Sequence, residues 1–248
     1  MSALAIAVAL PGLAIGSFLN VVAARVPLRR SIAHPPSACM GCGHEIARRD
    51  NIPLVSWLVL RGRCRHCDAR ISIRYPAVEL VTALLVVGCF VAFGATAYAV
   101  LASGFCVVLV ALSAIDLEYR IVPNRIVLPA AAIFLVAATA LQPSTEWAIA
   151  ALGASGFLFV AAIAYPKGMG MGDVKLALLL GAMLGRSVGV ALMVGFLAAL
   201  VPSTLLLLRH GSAGRKIAIP FVPFLAFGAV VALFFGDAIL DSYLGTFD

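Results

Sequence analysis

Leu80–Ile115 reads LVTALLVVGCFVAFGATAYAVLASGFCVVLVALSAI, 36 consecutive residues without one charged side chain. A helix crosses the hydrocarbon core of a bilayer with about 20 apolar residues, so this stretch is too long for one span and long enough for two. Phe93-Gly94-Ala95-Thr96 is the natural break between them. The rest of the chain offers no polar skin under which two such helices could hide. Of 248 residues, 63% are hydrophobic and 12% charged, and the mean hydropathy is +1.09; a soluble domain carries about 25% charged residues. These values describe an all-α polytopic membrane protein and exclude a cytosolic enzyme, a secreted disulfide scaffold and a disordered chain.

Working outward, Ala3–Ala24 is a further apolar run, without the basic start and small-residue cleavage site of a secretory signal, and reads as a retained helix. Ile126–Leu141, Trp147–Tyr165, Val174–Gly185, Val188–Leu208 and Ile217–Leu240 complete a count of about eight. Val174–Gly185 is short for a crossing and carries Lys175, which either snorkels or marks a helix that starts deep in the protein. Alternation from a cytoplasmic Arg25–Arg74 places seventeen of the eighteen Lys/Arg on the inside, Lys167, Arg215 and Lys216 among them, and leaves only Arg186 outside, with Glu146, Asp237, Asp241 and Asp248. That one-sided distribution obeys the positive-inside rule and supports the count. The expected organisation is a transmembrane helix over 1–24, a basic insert over 25–75 and the remaining helices over 76–248.

The insert holds ten arginines but only Glu45, Asp50 and Asp68, a net charge of +7, and four of the six cysteines. Cys39-Met40-Gly41-Cys42 and Cys64-Arg65-His66-Cys67 are two CxxC turns. Two such turns brought together offer the tetrahedral sulfur set that zinc prefers, and four thiolates leave no open position, so the metal role expected here is structural. The alternatives are paired disulfides, which a reducing cytoplasm disfavours, or free thiols. His34, His44, His66 and His210 read as ordinary polar residues, although His44 or His66 could substitute as a ligand. Cys89 and Cys106 read as small buried side chains. Topology and anionic lipid headgroups account for the arginines better than nucleic acid does, since the insert lacks a row of aromatics for base stacking.

Acids beside a span are functional candidates by default: Glu79, Asp116, Glu118, Asp173 and, more weakly, Glu146. Asp116 ends the third span, and Asp173 follows Gly168, Gly170 and Gly172, which let the backbone approach another segment or leave helical geometry. Both fall at the cytoplasmic edge of the membrane. Two carboxylates in a wet cavity are what aspartic proteolysis needs, one activating water and the other donating to the carbonyl oxygen. The plainer alternative pairs Asp116 with Arg120 and makes Asp173 a cap for the sixth helix.

These residues resemble the type IV prepilin peptidases, membrane aspartic proteases of the GxGD type, over almost the whole chain. Gly16-Ser17-Phe18-Leu19-Asn20 with Arg25 and Pro27 is similar to the family's opening helix, and the CxxC pairs to its cytoplasmic zinc module. Between and after them stand the family-like Asn51-Ile52-Pro53-Leu54-Val55-Ser56-Trp57 and Arg74-Tyr75-Pro76 with Glu79. Asp116 with Pro123-Asn124, Gly170-Met171-Gly172-Asp173-Val174-Lys175, and Ile219-Pro220-Phe221-Val222-Pro223-Phe224 follow in the family's order. The resemblance implies that Asp116 and Asp173 are the catalytic pair and that Cys39, Cys42, Cys64 and Cys67 hold Zn2+. It also implies that prepilins or pseudopilins, for pili or secretion, are cut after a glycine at the cytoplasmic face of the bacterial inner membrane. S-adenosylmethionine-dependent N-methylation of the new terminus is implied as well, without residues that can be named for it. Met40 stands where relatives commonly have proline, and Asn124 where many have aspartate; neither change touches a ligand or a catalytic position.

Two rivals are of other classes. Gly153-Ala154-Ser155-Gly156 resembles the GxSG of rhomboid serine proteases, but no histidine base lies within a span, and small residues at this spacing serve helix packing. A metalloprotease HExxH is absent. A transporter or channel with a zinc-containing regulatory module would use the aspartates for ions or protons; no duplicated half and no mid-span charge is present.

Overall fold

The computed structural model describes residues 2–165, 169–211 and 219–245. Lys167, Gly168, Arg215, Lys216, Ile217 and Asp248, used above, lie outside the described residues. Among the described residues there are nine α-helices and no strands: α1 (Ser2–Arg25), α2 (Val55–Val59), α3 (Arg74–Phe93), α4 (Ala97–Tyr119), α5 (Asn124–Leu141), α6 (Glu146–Ala164), α7 (Met171–Leu184), α8 (Val188–His210) and α9 (Val222–Leu244). They form two compact units, Met1–Ala114 and Ile115–Asp248, whose boundary falls near the end of α4.

In the first unit the opening glycines explain why α1 pairs with α3. A Cβ on Gly12 would sit 2.9 Å from the Ala83 Cα, and one on Gly16 only 2.6 Å from the Glu79 Cα, so only glycine lets the two backbones come this close. The order of contacts makes the pair antiparallel, and Asn20 Nδ2 closes it by donating to the Tyr75 carbonyl at 3.1 Å. α4 adds Val107, Val110 and Ala111 to a cluster with Leu19, Val78 and Leu85. The expected break is where the chain turns: α3 ends at Gly94 with φ 69°, and Thr96 Oγ1 accepts the Ala99 N–H to start α4.

In the second unit, seven becomes eight. By length and composition seven stretches among the described residues can cross a membrane, Met171–His210 counting as one of 40 residues. The backbone divides that stretch at Gly185, where φ is 53° and a 3-10 turn runs to Ser187. Gly236 packs on Ser187, Gly228 on Ala191 and Gly195, and Gly195 on Leu225, so α8 runs antiparallel to α9 and turns back relative to α7. Eight long apolar helices result among the described residues, in line with the sequence expectation of about eight. α7, at 14 residues, is about 21 Å long and shorter than the roughly 30 Å hydrocarbon core.

The turn at Gly185–Ser187 is fastened by charge. The Arg186 N–H donates to Glu146 Oε1 at 2.7 Å, and its guanidinium reaches Asp237 Oδ1 at 3.3 Å and Asp241 Oδ1 at 3.4 Å. These four groups, assigned to one side by the distribution of bases, meet at one end of the unit. Of the small residues in the GxSG-like stretch, Gly153 and Gly156 face open space while Ala154 is buried, in line with Ala151, Leu158 and Ala162. α6 meets α7 most closely through Ala150 and Ala151 against Gly181.

Candidate active site and metal site

Asp116 lies in the last turn of α4 and is only 6% exposed. A buried carboxylate needs a partner: the Asp116 side chain Oδ2 accepts the N–H of Val222, the first residue of α9, at 3.1 Å. Arg120 contributes its own N–H to the Asp116 carbonyl at 2.9 Å while adopting φ 55°, which ends α4 and reverses the chain. The segment 120–123 is then a short strap, and Pro123 begins α5 by accepting the N–H groups of Ile126 and Val127. Because Pro220 precedes and Pro223 follows, the entry to α9 is a stiff backbone segment on which Val222 N–H has one direction.

Asp173 stands at the third position of α7. Gly170 is extended (φ −89°, ψ 152°), and its N–H donates back to Asp173 Oδ2 at 3.3 Å, so the cap expected of Asp173 is real. The strap after Asp116 and the first turn of α7 are pressed together. A Cβ on Gly172 would lie 2.9 Å from Val122 Cγ2, and Lys175 Nζ donates to Asn124 Oδ1 at 2.9 Å. The segments that carry the two carboxylates are thereby held against each other. The Gly172–Val122 contact gives the third glycine of this region its physical reason.

Sequence reasoning did not find Val222 or the Lys175–Asn124 bond. Nothing local signals a backbone donor 106 residues away; the prolines around Val222 were the only hint. Ser155 lies in α6 without a histidine near it, since the one histidine of the second unit, His210, bonds Leu206 in its own helix. Glu79, the other buried acid, accepts the Leu54 N–H at 2.8 Å and does structural service in the first unit.

In the insert, Cys39, Cys42, Cys64 and Cys67 converge with their sulfurs all within 4.8 Å of one another. Each knuckle is built by the same short-range bonds. Gly41 N–H and His66 N–H point at Cys39 Sγ and Cys64 Sγ, and Gly43 N–H and Asp68 N–H bond the carbonyls of Cys39 and Cys64. Cys39 and Cys64 donate in turn to the carbonyls of His44 and Ala69. The tight reversal needs positive φ at equivalent places, 70° at Gly43 and 58° at Asp68. Arg65 grips Asp50 through two nitrogens (2.6 and 2.9 Å), tying the second knuckle to the chain between the pairs.

The donor set fits a metal. Cys39 Sγ and Cys67 Sγ are 3.7 Å apart, close to the ~3.8 Å edge of a tetrahedron with metal–sulfur bonds of about 2.3 Å. Without a cation the four sulfurs oppose one another. N–H groups of Cys42 and Gly41 draw the Cys39 thiol down to about 6. Cys67 is pushed up to about 12, the Ala69 N–H that favours its thiolate being outweighed by the sulfurs of Cys42, Cys39 and Cys64. His44 and His66 stack on each other, ring centroids 3.7 Å apart, instead of joining the sulfurs. All six cysteines are free thiols, with Cys89 and Cys106 buried 3.9 Å apart between α3 and α4.

A polytopic helical membrane protein with four cysteines able to hold a metal, an acid at a helix end and another in a GxGD turn has the features of a membrane peptidase. Comparison with known proteins makes this specific. The Bacterial Peptidase A24 N-terminal domain matches residues 10–93, and the Type IV leader peptidase family matches residues 103–208. A Bacillus subtilis protein named prepilin leader peptidase/N-methyltransferase is 35% identical over 94% of this chain and 95% of its own length. A Myxococcus xanthus protein of the same name is 42% identical over 83% of this chain and 64% of its own length, and one from Aeromonas hydrophila is 37% identical over 95% and 92%. No solved structure matches. The chain belongs to the type IV leader peptidase family.

Proposed function

We propose that this protein is an aspartic endopeptidase that removes the leader of type IV prepilins and pseudopilins, with Asp116 and Asp173 as its catalytic pair. The observation that carries the reading is that the strap following Asp116 and the first turn of α7, which bears Asp173, are held together by the Gly172–Val122 contact and the Lys175–Asn124 bond. Water between two carboxylates that share a proton is activated by the ionised one, while the protonated one donates to the scissile carbonyl oxygen. The pair titrates together, so neither role belongs permanently to either residue. Val222 N–H holds Asp116 in place through the exchange of protons, and Gly170 N–H does the same for Asp173.

The scissile bond follows a glycine at the cytoplasmic face of the bacterial inner membrane. The family likeness supports the cleavage rule, and the placement of seventeen of eighteen Lys/Arg supports the face. Functionally, helix 1–24 and the insert 25–75 precede a peptidase portion over 76–248. Cys39, Cys42, Cys64 and Cys67 would hold Zn2+, which supplies no reaction step there but cross-links the two knuckles. N-methylation of the new terminus rests on the names of the relatives. The cavity beside α1 and α3 is lined by Leu4, Ala5, Phe90, Val91 and Gly94 and does not fit S-adenosylmethionine, whose charged groups would meet no polar side chain, so no methyl-transfer step is derived.

The deciding experiment is cleavage of a prepilin leader peptide by the purified protein in detergent, wild type against Asp116→Ala and Asp173→Ala at matched folding. Each variant should lose roughly 10²–10⁴-fold in rate. Cutting that survives either change would overturn the aspartic mechanism.

A further inference from the structure

The insert contains one helix whose outward face is wrong for water. α2 and its approach read Ile52-Pro53-Leu54-Val55-Ser56-Trp57-Leu58-Val59. Its inner side is locked: Ser56 Oγ donates to the Arg49 carbonyl and accepts the Ile52 N–H, both at 3.0 Å, and Trp57 Nε1 donates to the Ile71 carbonyl at 3.2 Å. With its rotation thus fixed, α2 presents Val55, Leu58 and Val59 on the other side, exposed by 52, 66 and 70%, and Ile52 just before the helix is exposed by 49%. Scattered aliphatics on a surface need no explanation, but three on one rigid five-residue helix with a fourth beside it do.

The level of that face is also fixed. The Leu54 N–H is held at 2.8 Å by Glu79, the sixth residue of the membrane helix α3, which lies about 7–8 Å along the axis from Arg74. Leu54 has φ 59°, a conformation a leucine keeps only when its surroundings impose it. The outward aliphatics of α3 begin at this same place with Leu80, Val81 and Leu84. The face of α2 is therefore within a turn of the level at which α3 enters the hydrocarbon. Around α2 in the chain stand the exposed Arg48, Arg49 and Arg61, in an insert of net charge +7.

We propose that α2 is an interfacial anchor, seating Ile52, Val55, Leu58 and Val59 at the headgroup–acyl boundary of an anionic bilayer while the neighbouring arginines bind the lipid phosphates. The cysteine knuckles are then tied to the membrane at a third point besides α1 and α3. The occupant is lipid because the apolar face continues that of α3 and the charge around it complements anionic headgroups.

The test uses the full chain in vesicles containing phosphatidylglycerol, with the photoreactive residue p-benzoylphenylalanine in place of Leu58, Val59, Leu84 or Met40. Met40, 97% exposed on a knuckle, is the aqueous control, and Leu84 the lipid control. Mass spectrometry should find phospholipid adducts at 58 and 59 as at 84, and none at 40. Adducts from 58 and 59 to residues of 115–248 or to an added prepilin would overturn the proposal in favour of a protein contact, and an absence of adducts would overturn it in favour of water.

Discussion

The cysteine knuckles and the carboxylate pair are two sites in one chain, put together over different distances. Each knuckle closes on hydrogen bonds reaching no more than nine residues, from Ser37 to Ile46 and from Gly62 to Ile71, and the two repeat each other bond for bond. Asp116 and Asp173 come from separate helices, and the donor that holds Asp116 is 106 residues away. A site made of local bonds tolerates change elsewhere in the bundle. A site made of distant contacts inherits every displacement of the helices that carry it, and in catalysis an error of about 1 Å can cost about 10²-fold.

The sharpest way to break this comparison is Gly172→Val. The new side chain would meet Val122 where a Cβ alone already lies 2.9 Å away, so the strap must move off α7. Cleavage should fall about 10²-fold while the metal content of the insert stays unchanged, and Val122→Ala in the same chain should restore part of the rate. Equal loss of metal and cleavage would mean that the two sites are not independent.

Removing the metal tests the other side. Cys42→Ser, or a chelator, should empty the tetrad and open residues 25–75 to added protease, since a structural metal contributes its binding energy to folding. Cleavage by the intact molecules that remain should fall less than in Gly172→Val. Unchanged proteolysis of the insert would show that the metal does not stiffen it.

A smaller effect is expected at the bond between Lys175 and Asn124. A hydrogen bond to a charged group contributes about 1.5–3 kcal/mol, so Lys175→Gln should lower kcat by about tenfold or somewhat more with KM little changed. Asn124→Asp keeps the acceptor and should keep the rate. In a double-mutant cycle, the losses of Lys175→Gln and Asn124→Leu should not add. A rise in KM alone would make Lys175 a substrate contact instead of a positioning residue.

The smallest effect belongs to Arg186. Its guanidinium is half exposed, so Arg186→Gln should cost about 0.5–1 kcal/mol of stability in thermal unfolding. The variant should cut at the wild-type rate, because the backbone N–H to Glu146 and the Gly185 turn remain.

Much of this was open to reading before the structure. Uncharged length set the number of membrane helices, and Gly94 and Thr96 marked the first break within a residue or two, because turn chemistry is local. The CxxC spacing was equally direct, since two residues between cysteines leave few ways to aim two sulfurs at one ion. Asp116 and Asp173 were conspicuous as acids in an apolar chain, and the family resemblance singled them out.

What the sequence by itself determined is thus whatever depends on composition, on charge and on contacts within about ten residues: a membrane protein of about eight helices, two cysteine knuckles, and acids at two helix ends. Only the tertiary structure decided that Gly16 lies against Glu79, that Glu79 holds Leu54, that Val222 N–H bonds Asp116, and that Val122 sits where a Gly172 side chain would be. The reason is physical. Apolar helices are nearly interchangeable in hydropathy, so which of them meet, and at what height, is settled by shape and by where buried polar groups find a partner. Neither is written in any one segment of the chain.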